Sequence, residues 1–402
     1  MSPVEQCVPV ATMVLWDPIL TDYYFASYHP MHPSRLDATA RLAADLGIFD
    51  LPQVSLEYPA VASDQQLALV HDPAYIRDVR AISENPQLTI PGCGIGTEDT
   101  PAYAGIHEAS ARLVGASLQA AQSIVDGSAL HAVNFAGGMH HAARAKASGF
   151  CVYNDCAAAI QYFLDQGLER VAYIDIDAHH GDGTQSIFWN DARVLTISLH
   201  ESGMSLFPGT GFSNESGPAG LAAGTAVNVA LPASVSDSAW IRAFDAVVPA
   251  VLGQFEPQVI VSQHGCDSHY QDDMSHMAIS IEAQRELAAH ISVLARDLCQ
   301  QRWLATGGGG YSIHNAVPRS WAHLLAIAAG APLDPRLATP KSWQAYMLDK
   351  YGVKAPQSMG DGADIWWRSW EVGFDPADET DRTVMATRKE VFPHWGLDPW
   401  YD

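Results

Sequence analysis

The sequence has few basic residues. Its 402 residues include 22 Lys and Arg against 45 Asp and Glu, which gives a formal net charge of −23. Binding to nucleic acid or to an anionic membrane surface requires clusters of Lys and Arg, so this balance argues against both kinds of partner. An acidic protein does attract cationic ligands at long range, although many cytosolic proteins are acidic without that role.

Long apolar runs and paired cysteines are also absent. The longest uninterrupted apolar stretch, residues 324–333, is too short to span a bilayer, and no Lys or Arg precedes Arg35 to form the basic region of a secretory signal. The six cysteines, none of them in a C-x-x-C pair, are Cys7, Cys93, Cys151, Cys156, Cys266 and Cys299. In a chain of this length they indicate reduced, mostly buried thiols. The sequence therefore predicts a soluble cytoplasmic protein.

Short β-branched runs alternate with helical patterns. Six runs end in polar or Gly-rich turns, at residues 12–17, 131–138, 171–177, 194–200, 259–265 and 303–310. Uninterrupted apolar runs of this kind are typical of strands buried on both faces of a parallel sheet. Between them, apolar residues three or four apart predict helices that end at Gly127 and Gly253, and a third over residues 287–298. The alternation predicts an α/β fold with helices on both faces of the sheet.

The composition changes near Trp343. Six of the eleven tryptophans lie in the last 60 residues, among acidic residues and Pro/Gly-rich turns. So many exposed tryptophans would be an aggregation liability. We therefore expect residues 341–402 to form an extension that packs on a main domain of residues 1–340, or that forms an oligomer contact.

Ionisable residues follow several of the predicted strands. Asp177 and His179, in the segment YIDIDAHHGDG, are two residues apart and point the same way on an extended backbone. Asp267, directly after the run 259–265, could join them. A carboxylate and an imidazole are zinc ligands, and a catalytic zinc site takes three protein ligands. These residues are a candidate metal site.

Two further patterns fit a catalytic site around that metal. His140 and His141 follow a predicted strand and two glycines, and offer proton transfer near neutral pH. Each would need a carboxylate to fix its tautomer, for which Asp175 and Asp182 are candidates. Four glycines before Tyr311 let the backbone approach a ligand closely. Each pattern alone also suits an ordinary turn, so the metal interpretation depends on all of them following strands of one sheet.

Taken in order, these segments resemble the zinc-dependent histone deacetylase family across roughly residues 12–330, and are most similar to its bacterial acetoin-utilisation branch. The matching segments are HPMHPSR (29–35), GGMHHA (137–142), GFCVYND (149–155), DIDAHHGDGTQ (175–185), SLHESGMSLFPGTG (198–211) and GGGGY (307–311). The resemblance implies the arginase/deacetylase fold, with a single domain around a parallel sheet of about eight strands. It also implies hydrolysis of acetyl-lysine side chains by a metal-activated water. The substrate would be an acetylated protein, such as a metabolic enzyme.

The resemblance also implies a role for each matching residue. The catalytic residues would be His140, His141, Tyr311, Asp175 and Asp182. The substrate-binding residues would be Asp99, Gly149, Phe150, Phe207 and Arg35. Zinc, or ferrous iron in the cell, would be bound by Asp177, His179 and Asp267. A structural potassium ion would be bound by Asp175, Asp177, His179, Ser198 and Leu199.

Three alternatives stay open. The first is a deacetylase of small acetylated amines such as acetylpolyamines. The second is a catalytically silent acetyl-lysine binding module, which the presence of Tyr311 and both histidines disfavours. The third is a manganese ureohydrolase, which is disfavoured because Gly181 stands where those enzymes carry a further aspartate ligand. The sequence does not decide which of His140 and His141 protonates the leaving amine.

Overall fold

A computed structural model describes residues 9–402, so Cys7 lies outside the described residues. Within them the chain forms eight strands: β1 (Thr12–Leu15), β2 (Val54–Glu57), β3 (His131–Asn134), β4 (Val171–Asp175), β5 (Val194–Glu201), β6 (Ala226–Leu231), β7 (Val259–Gln263) and β8 (Trp303–Thr306). They form one sheet in the order β2-β1-β3-β8-β7-β4-β5-β6, and every neighbouring pair is parallel. The prediction of a parallel sheet of about eight strands is confirmed.

Each of the six predicted runs contains one strand. Every residue of β3, β4, β7 and β8 is buried, as expected for strands covered on both faces. Two strands were not predicted. β2 is an edge strand with exposed residues, and β6 is interrupted by the polar residue Asn228, so neither shows a continuous apolar run.

Eleven α-helices occur in residues 9–402: α1 (Ser34–Asp45), α2 (Asp64–Leu67), α3 (Pro73–Glu84), α4 (Ile106–Asp126), α5 (Asp155–Asp165), α6 (Asp182–Phe188), α7 (Asp237–Phe255), α8 (Ile281–Cys299), α9 (Ala316–Ala328), α10 (Lys341–Tyr351) and α11 (Glu379–Val391). Helices α4 and α5 pack on one face of the sheet. The row formed by α7, α8, α9 and α1 covers the other face. None of the helices in residues 9–402 combines the length and the hydropathy that a membrane span requires.

The predicted ends of two helices have different outcomes. Helix α4 ends before Gly127, as expected. The prediction that α7 ends at Gly253 is wrong, because the helix continues to Phe255 and closes at Glu256. A glycine inside a helix costs only about 1 kcal/mol. The last turn offsets this free-energy cost because it buries the Phe255 ring against Trp395, with ring centroids 5.7 Å apart. Burial of such a ring stabilises the fold by more than the glycine costs.

The C-terminal residues contact the sheet domain at several places. The Trp343 indole is fully buried and donates to the carbonyl of Ala38 in α1. Helix α11 packs on β6 and α7, where the buried Asp381 carboxylate binds the Arg242 guanidinium at 2.7 Å. Packing does not cover every tryptophan of this segment, since Trp366 is 73% exposed. The division of the chain at residue 340 stays a prediction.

Candidate active site

The candidate site lies at the carboxyl ends of four neighbouring strands, which stand in the order β3-β8-β7-β4. His140 and His141 follow β3, Tyr311 follows β8, Asp267 follows β7, and Asp177 follows β4. In open α/β sheets the crevice beyond the carboxyl ends of the strands is where ligands bind. These sequence-distant residues therefore converge because their strands are adjacent.

Asp177, His179 and Asp267 form a candidate metal centre. Their ligand atoms all lie within 4.8 Å of one another, and all three residues are buried. The His179 Nδ1 atom lies 3.2 Å from Asp177 Oδ1 and 3.0 Å from Asp267 Oδ2. Two carboxylates and an imidazole suit zinc or ferrous iron, and a catalytic zinc with three protein ligands takes its fourth ligand from water or substrate.

The electrostatics of this cluster favour a bound cation. Burial and the neighbouring Asp177 carboxylate raise the pKa of Asp267 to about 7, because two negative charges repel each other in a water-poor site. The second oxygen of Asp177 accepts hydrogen bonds from the Gln263 Nε2 atom at 2.7 Å and from the Gly309 amide at 2.8 Å. These donors fix the carboxylate so that Oδ1 faces His179.

His140 and His141 each bind one carboxylate. His140 Nδ1 lies 2.7 Å from Asp175 Oδ2, and His141 Nδ1 lies 2.7 Å from Asp182 Oδ1. The two Nε2 atoms are 3.0 Å apart. The pairs differ in solvent contact, since the Asp175 side chain is fully buried and that of Asp182 is 29% exposed. The structure thus brings each histidine together with one of the two carboxylates that the sequence offers as candidates.

The two histidines also differ in their pKa. Burial alone would lower the pKa of His140, but the carboxylates of Asp175 and Asp177 outweigh it and raise this pKa to about 9. Burial and the adjacent His140 lower the pKa of His141. A neutral His141 beside a protonated His140 is the arrangement in which His141 can accept a proton.

The turn that carries the tandem histidines is held by residues to which the sequence assigned no role. The Asp155 carboxylate accepts from the Gly138 and Met139 amides, at 2.8 to 3.1 Å. The Asn154 side chain donates to the His140 carbonyl at 3.2 Å. The sequence signal that could have identified these two residues is the Asn-Asp pair at the start of α5, because Asn is a preferred N-cap residue and Asn154 is the N-cap of that helix.

Tyr311 is fixed through its backbone. The Asp272 carboxylate accepts from the Tyr311 amide at 2.6 Å and from the Ser312 amide at 3.0 Å. Burial raises the pKa of the Tyr311 hydroxyl, which keeps its proton available for donation. Asp272 was missed because it is one of two consecutive aspartates in a loop, where no periodic pattern distinguishes them.

Two aromatic rings lie beside these groups. Phe150 packs edge-on against Tyr311 with ring centroids 5.7 Å apart, and Phe207 packs against His141 at 5.0 Å. The Phe207 side chain remains 45% exposed. The Asp99 carboxylate accepts from the Gly149 amide at 2.9 Å and so fixes the start of the Phe150 segment.

The remaining predicted residues lie deeper in the fold. Arg35 is buried, donates to the Gly308 carbonyl at 2.7 Å, and stacks over the Trp321 ring. Ser198 faces Asp175 in the register of β4 and β5, and Leu199 is the next residue along β5. The potassium site that these residues would form stays a prediction. His180, which the sequence leaves without a catalytic role, contacts Thr210 and Gln185.

Comparison with known proteins identifies the family. The histone deacetylase domain matches residues 29–328. The acetoin utilization protein AcuC of Bacillus subtilis (strain 168) is 38% identical over 384 residues, which cover 94% of this chain and 98% of that protein. AcuC of Staphylococcus xylosus is 37% identical over 81% of this chain and 84% of its own.

A solved structure supports the same family assignment. The crystal structure of an HDAC homolog complexed with SAHA superimposes with a TM-score of 0.79 at 26% identity, and the match covers 94% of this chain and 100% of that one. The family match, the AcuC relatives and the shared fold agree with the metal-ligand triad and with the paired histidines. The chain belongs to the histone deacetylase family.

Proposed function

We propose that this protein is a metal-dependent deacetylase that acts on acetyl-lysine side chains of proteins. The observation that carries the proposal is the convergence of three kinds of group on one point. These are the triad of Asp177, His179 and Asp267, the histidine pair, and a tyrosine beside the ring of Phe150. Each is a type of group that amide hydrolysis uses.

In this proposal Asp177, His179 and Asp267 would hold a zinc or ferrous ion, which when bound would supply Lewis acidity and lower the pKa of a water. His141 accepts the proton of the attacking water at Nε2, while Asp182 holds its Nδ1. His140, held at Nδ1 by Asp175, lies next to it, with the two Nε2 atoms 3.0 Å apart. The Tyr311 hydroxyl donates a hydrogen bond to the acetyl oxygen as that atom becomes negative.

The surroundings favour a long, slender acyl-amine. The rings of Phe150 and Phe207 lie on the Tyr311 side and the His141 side, where they can cover the apolar methylenes of a lysine side chain. The partly exposed Phe207 ring makes the rim accessible to a polypeptide. The excess of acidic residues attracts cationic peptides.

Gly181 argues against a ureohydrolase. A Cβ atom built at this position would lie 2.3 Å from Asp175 Oδ2, which is closer than any real Cβ contact. The aspartate that would serve a second manganese therefore cannot be accommodated there without moving the carboxylate that holds His140.

The test is a side-by-side assay of the metal-loaded protein on an acetyl-lysine peptide and on N-acetylspermidine. We expect the larger kcat/KM with the peptide, with zinc or with ferrous iron. Asp267→Asn, which removes one ligand charge, is the control for contaminating activity and should be inactive on both. A larger kcat/KM with acetylspermidine would replace this proposal with the small-amine alternative.

A further inference from the structure

Asp361 lies in the C-terminal extension, beyond the residues matched by the family domain, yet it binds the loop that follows Asp267 and the start of helix α9, which follows Tyr311. Its side chain is 8% exposed. Oδ2 accepts from His269 Nε2 and from the Ile281 amide, each at 2.9 Å, and Oδ1 lies 2.9 Å from Arg319 Nη2. His269 and Arg319 follow Asp267 and Tyr311, respectively, in the chain.

The first connection runs through His269. Its Nδ1 accepts from the Gln271 amide at 3.1 Å, so Nε2 carries the proton that is donated to Asp361. The His269 carbonyl accepts from the Asp272 amide at 2.8 Å. Asp272 in turn binds the Tyr311 and Ser312 amides. The turn of residues 269–272 thus links Asp361 to the backbone of Tyr311.

The second connection runs through Arg319, near the start of α9. Its guanidinium donates to the carbonyl and the side-chain oxygen of Asn315, at 3.0 and 2.7 Å. The Asn315 amide group donates to the Gln271 side chain. The two connections therefore meet at the turn of residues 269–272, and together they enclose the segment that carries Tyr311.

We propose that Asp361 is a positioning residue, through which the C-terminal extension fixes the loops that carry Asp267 and Tyr311. The buried Asp361 carboxylate has three partners, an imidazole, a backbone amide and a guanidinium, and its removal would leave their hydrogen-bonding groups without this acceptor. The loops that carry Asp267 and Tyr311 would then adopt different positions. Because a displacement of about 1 Å can cost about a hundredfold in rate, the effect belongs mainly to kcat.

Asp361→Asn is the test variant, and Asp381→Asn is its matched control. Asp381 is also a buried carboxylate of the extension, bound to Arg242 at 2.7 Å and to Arg368 at 3.0 Å, but it contacts neither site loop. On an acetyl-lysine peptide we expect kcat of Asp361→Asn to fall about ten- to a hundredfold, with KM within about twofold of wild type. Asp381→Asn should keep kcat within about twofold even where its melting temperature falls.

Hydrogen exchange of the metal-free proteins gives a readout that needs neither substrate nor metal. Peptides covering residues 307–316 should exchange faster in Asp361→Asn than in wild type or Asp381→Asn. If Asp361→Asn does not fold, Arg319→Lys, which keeps the charge but loses the guanidinium fork, should show the same local change. Equal exchange of this segment in the test variant and the control, or equal kcat values for these two variants, would overturn the proposal.

The kinetic measurement rests on the proposed function. If the wild-type protein is inactive on the peptide, that function is contradicted. The hydrogen-exchange measurement would still test whether Asp361 positions the segment that carries Tyr311.

Discussion

At the scale of single residues, the site keeps one hydroxyl ready for a ligand. The described residues include no hydrogen-bond partner for the Tyr311 hydroxyl, although the Tyr311 amide is tightly bound by Asp272. The ring is held by Phe150, and burial raises the pKa of its hydroxyl. A fixed backbone and a protonated, uncommitted hydroxyl are what a preorganised oxyanion donor requires.

Tyr311→Phe removes this hydroxyl and keeps the ring. Loss of one oxyanion donor typically costs about 3–4 kcal/mol of barrier, so we expect kcat to fall by roughly two to three orders of magnitude. Metal content, measured on the purified protein, should match wild type because Tyr311 is not part of the ligand triad. Wild-type turnover of an acetyl-lysine peptide by the variant would contradict the role assigned to the hydroxyl.

Charged residues that follow strands can be predicted from the sequence, but the residues that form hydrogen bonds with them cannot. Asp177 and His140 could be predicted because ionisable groups beyond buried strands are conspicuous. Gln263, which binds Asp177 from 86 residues away, and Asp155, which binds backbone amides, could not. Their partners are defined by strand adjacency and by backbone geometry, and neither leaves a pattern in the sequence.

At the scale of elements, the glycine run between β8 and α9 brings the backbone against the candidate metal ligands. The Gly309 amide donates to Asp177, and a Cβ atom built on Gly309 would lie 2.1 Å from Asp267 Oδ2. A side chain there must displace either the loop or a metal ligand. The run is therefore required by close approach, as its position after a predicted strand suggested.

Gly309→Ala should lower metal affinity about ten- to a hundredfold, which is the usual cost of disturbing groups that hold metal ligands. Competition with a chelating dye measures it directly. Gly253→Ala is the control, because nothing lies within 4 Å of a Cβ built there and the residue is inside α7. This control should keep wild-type metal affinity and gain up to about 1 kcal/mol in free energy of unfolding. Equal metal affinity of Gly309→Ala and wild type would contradict the close-approach argument.

Strands that are buried on both faces of the sheet could be predicted from the sequence. Element boundaries that depend on tertiary contacts could not. The six runs with continuous apolar character each contain a strand, whereas the exposed edge strand β2 lacks that pattern. The end of α7 was misplaced because Phe255 packs against a residue 140 positions later. No local signal reports a contact of that kind.

At the scale of the whole molecule, several histidines are buried in their neutral form. Burial lowers the pKa values of His71, His131 and His290 to about 4 and those of His264 and His323 to about 3. At His71 the reason is visible in the contacts, since Nε2 accepts from the Asn154 amide and Nδ1 faces the Ala143 carbonyl. Protonation of Nε2 would break the first of these hydrogen bonds.

His71→Gln isolates one such contribution. Because the folded pKa is about 4 and the unfolded one about 6.5, the stabilisation is complete above pH 6.5 and is lost as the pH falls toward 4. The difference in free energy of unfolding between wild type and His71→Gln should therefore shrink by about 2 kcal/mol from pH 7.5 to pH 5. Urea denaturation of the chelator-treated proteins measures it. The exposed His394→Gln is the control, and a pH-independent difference at His71 would refute the assignment.

The strand order has a consequence for biosynthesis. Strands β3 and β4 are consecutive along the chain, but β8 and β7 lie between them in the sheet. A nascent chain emerging from the ribosome must leave a gap at this place, two strands wide until β7 has been synthesised and one strand wide until residue 306 has been added. The centre of the sheet, and every loop that converges on it, is thus assembled late in translation. Chains released prematurely before that point lack the centre of their own fold and expose unpaired strand edges, which makes them targets for chaperones and proteases.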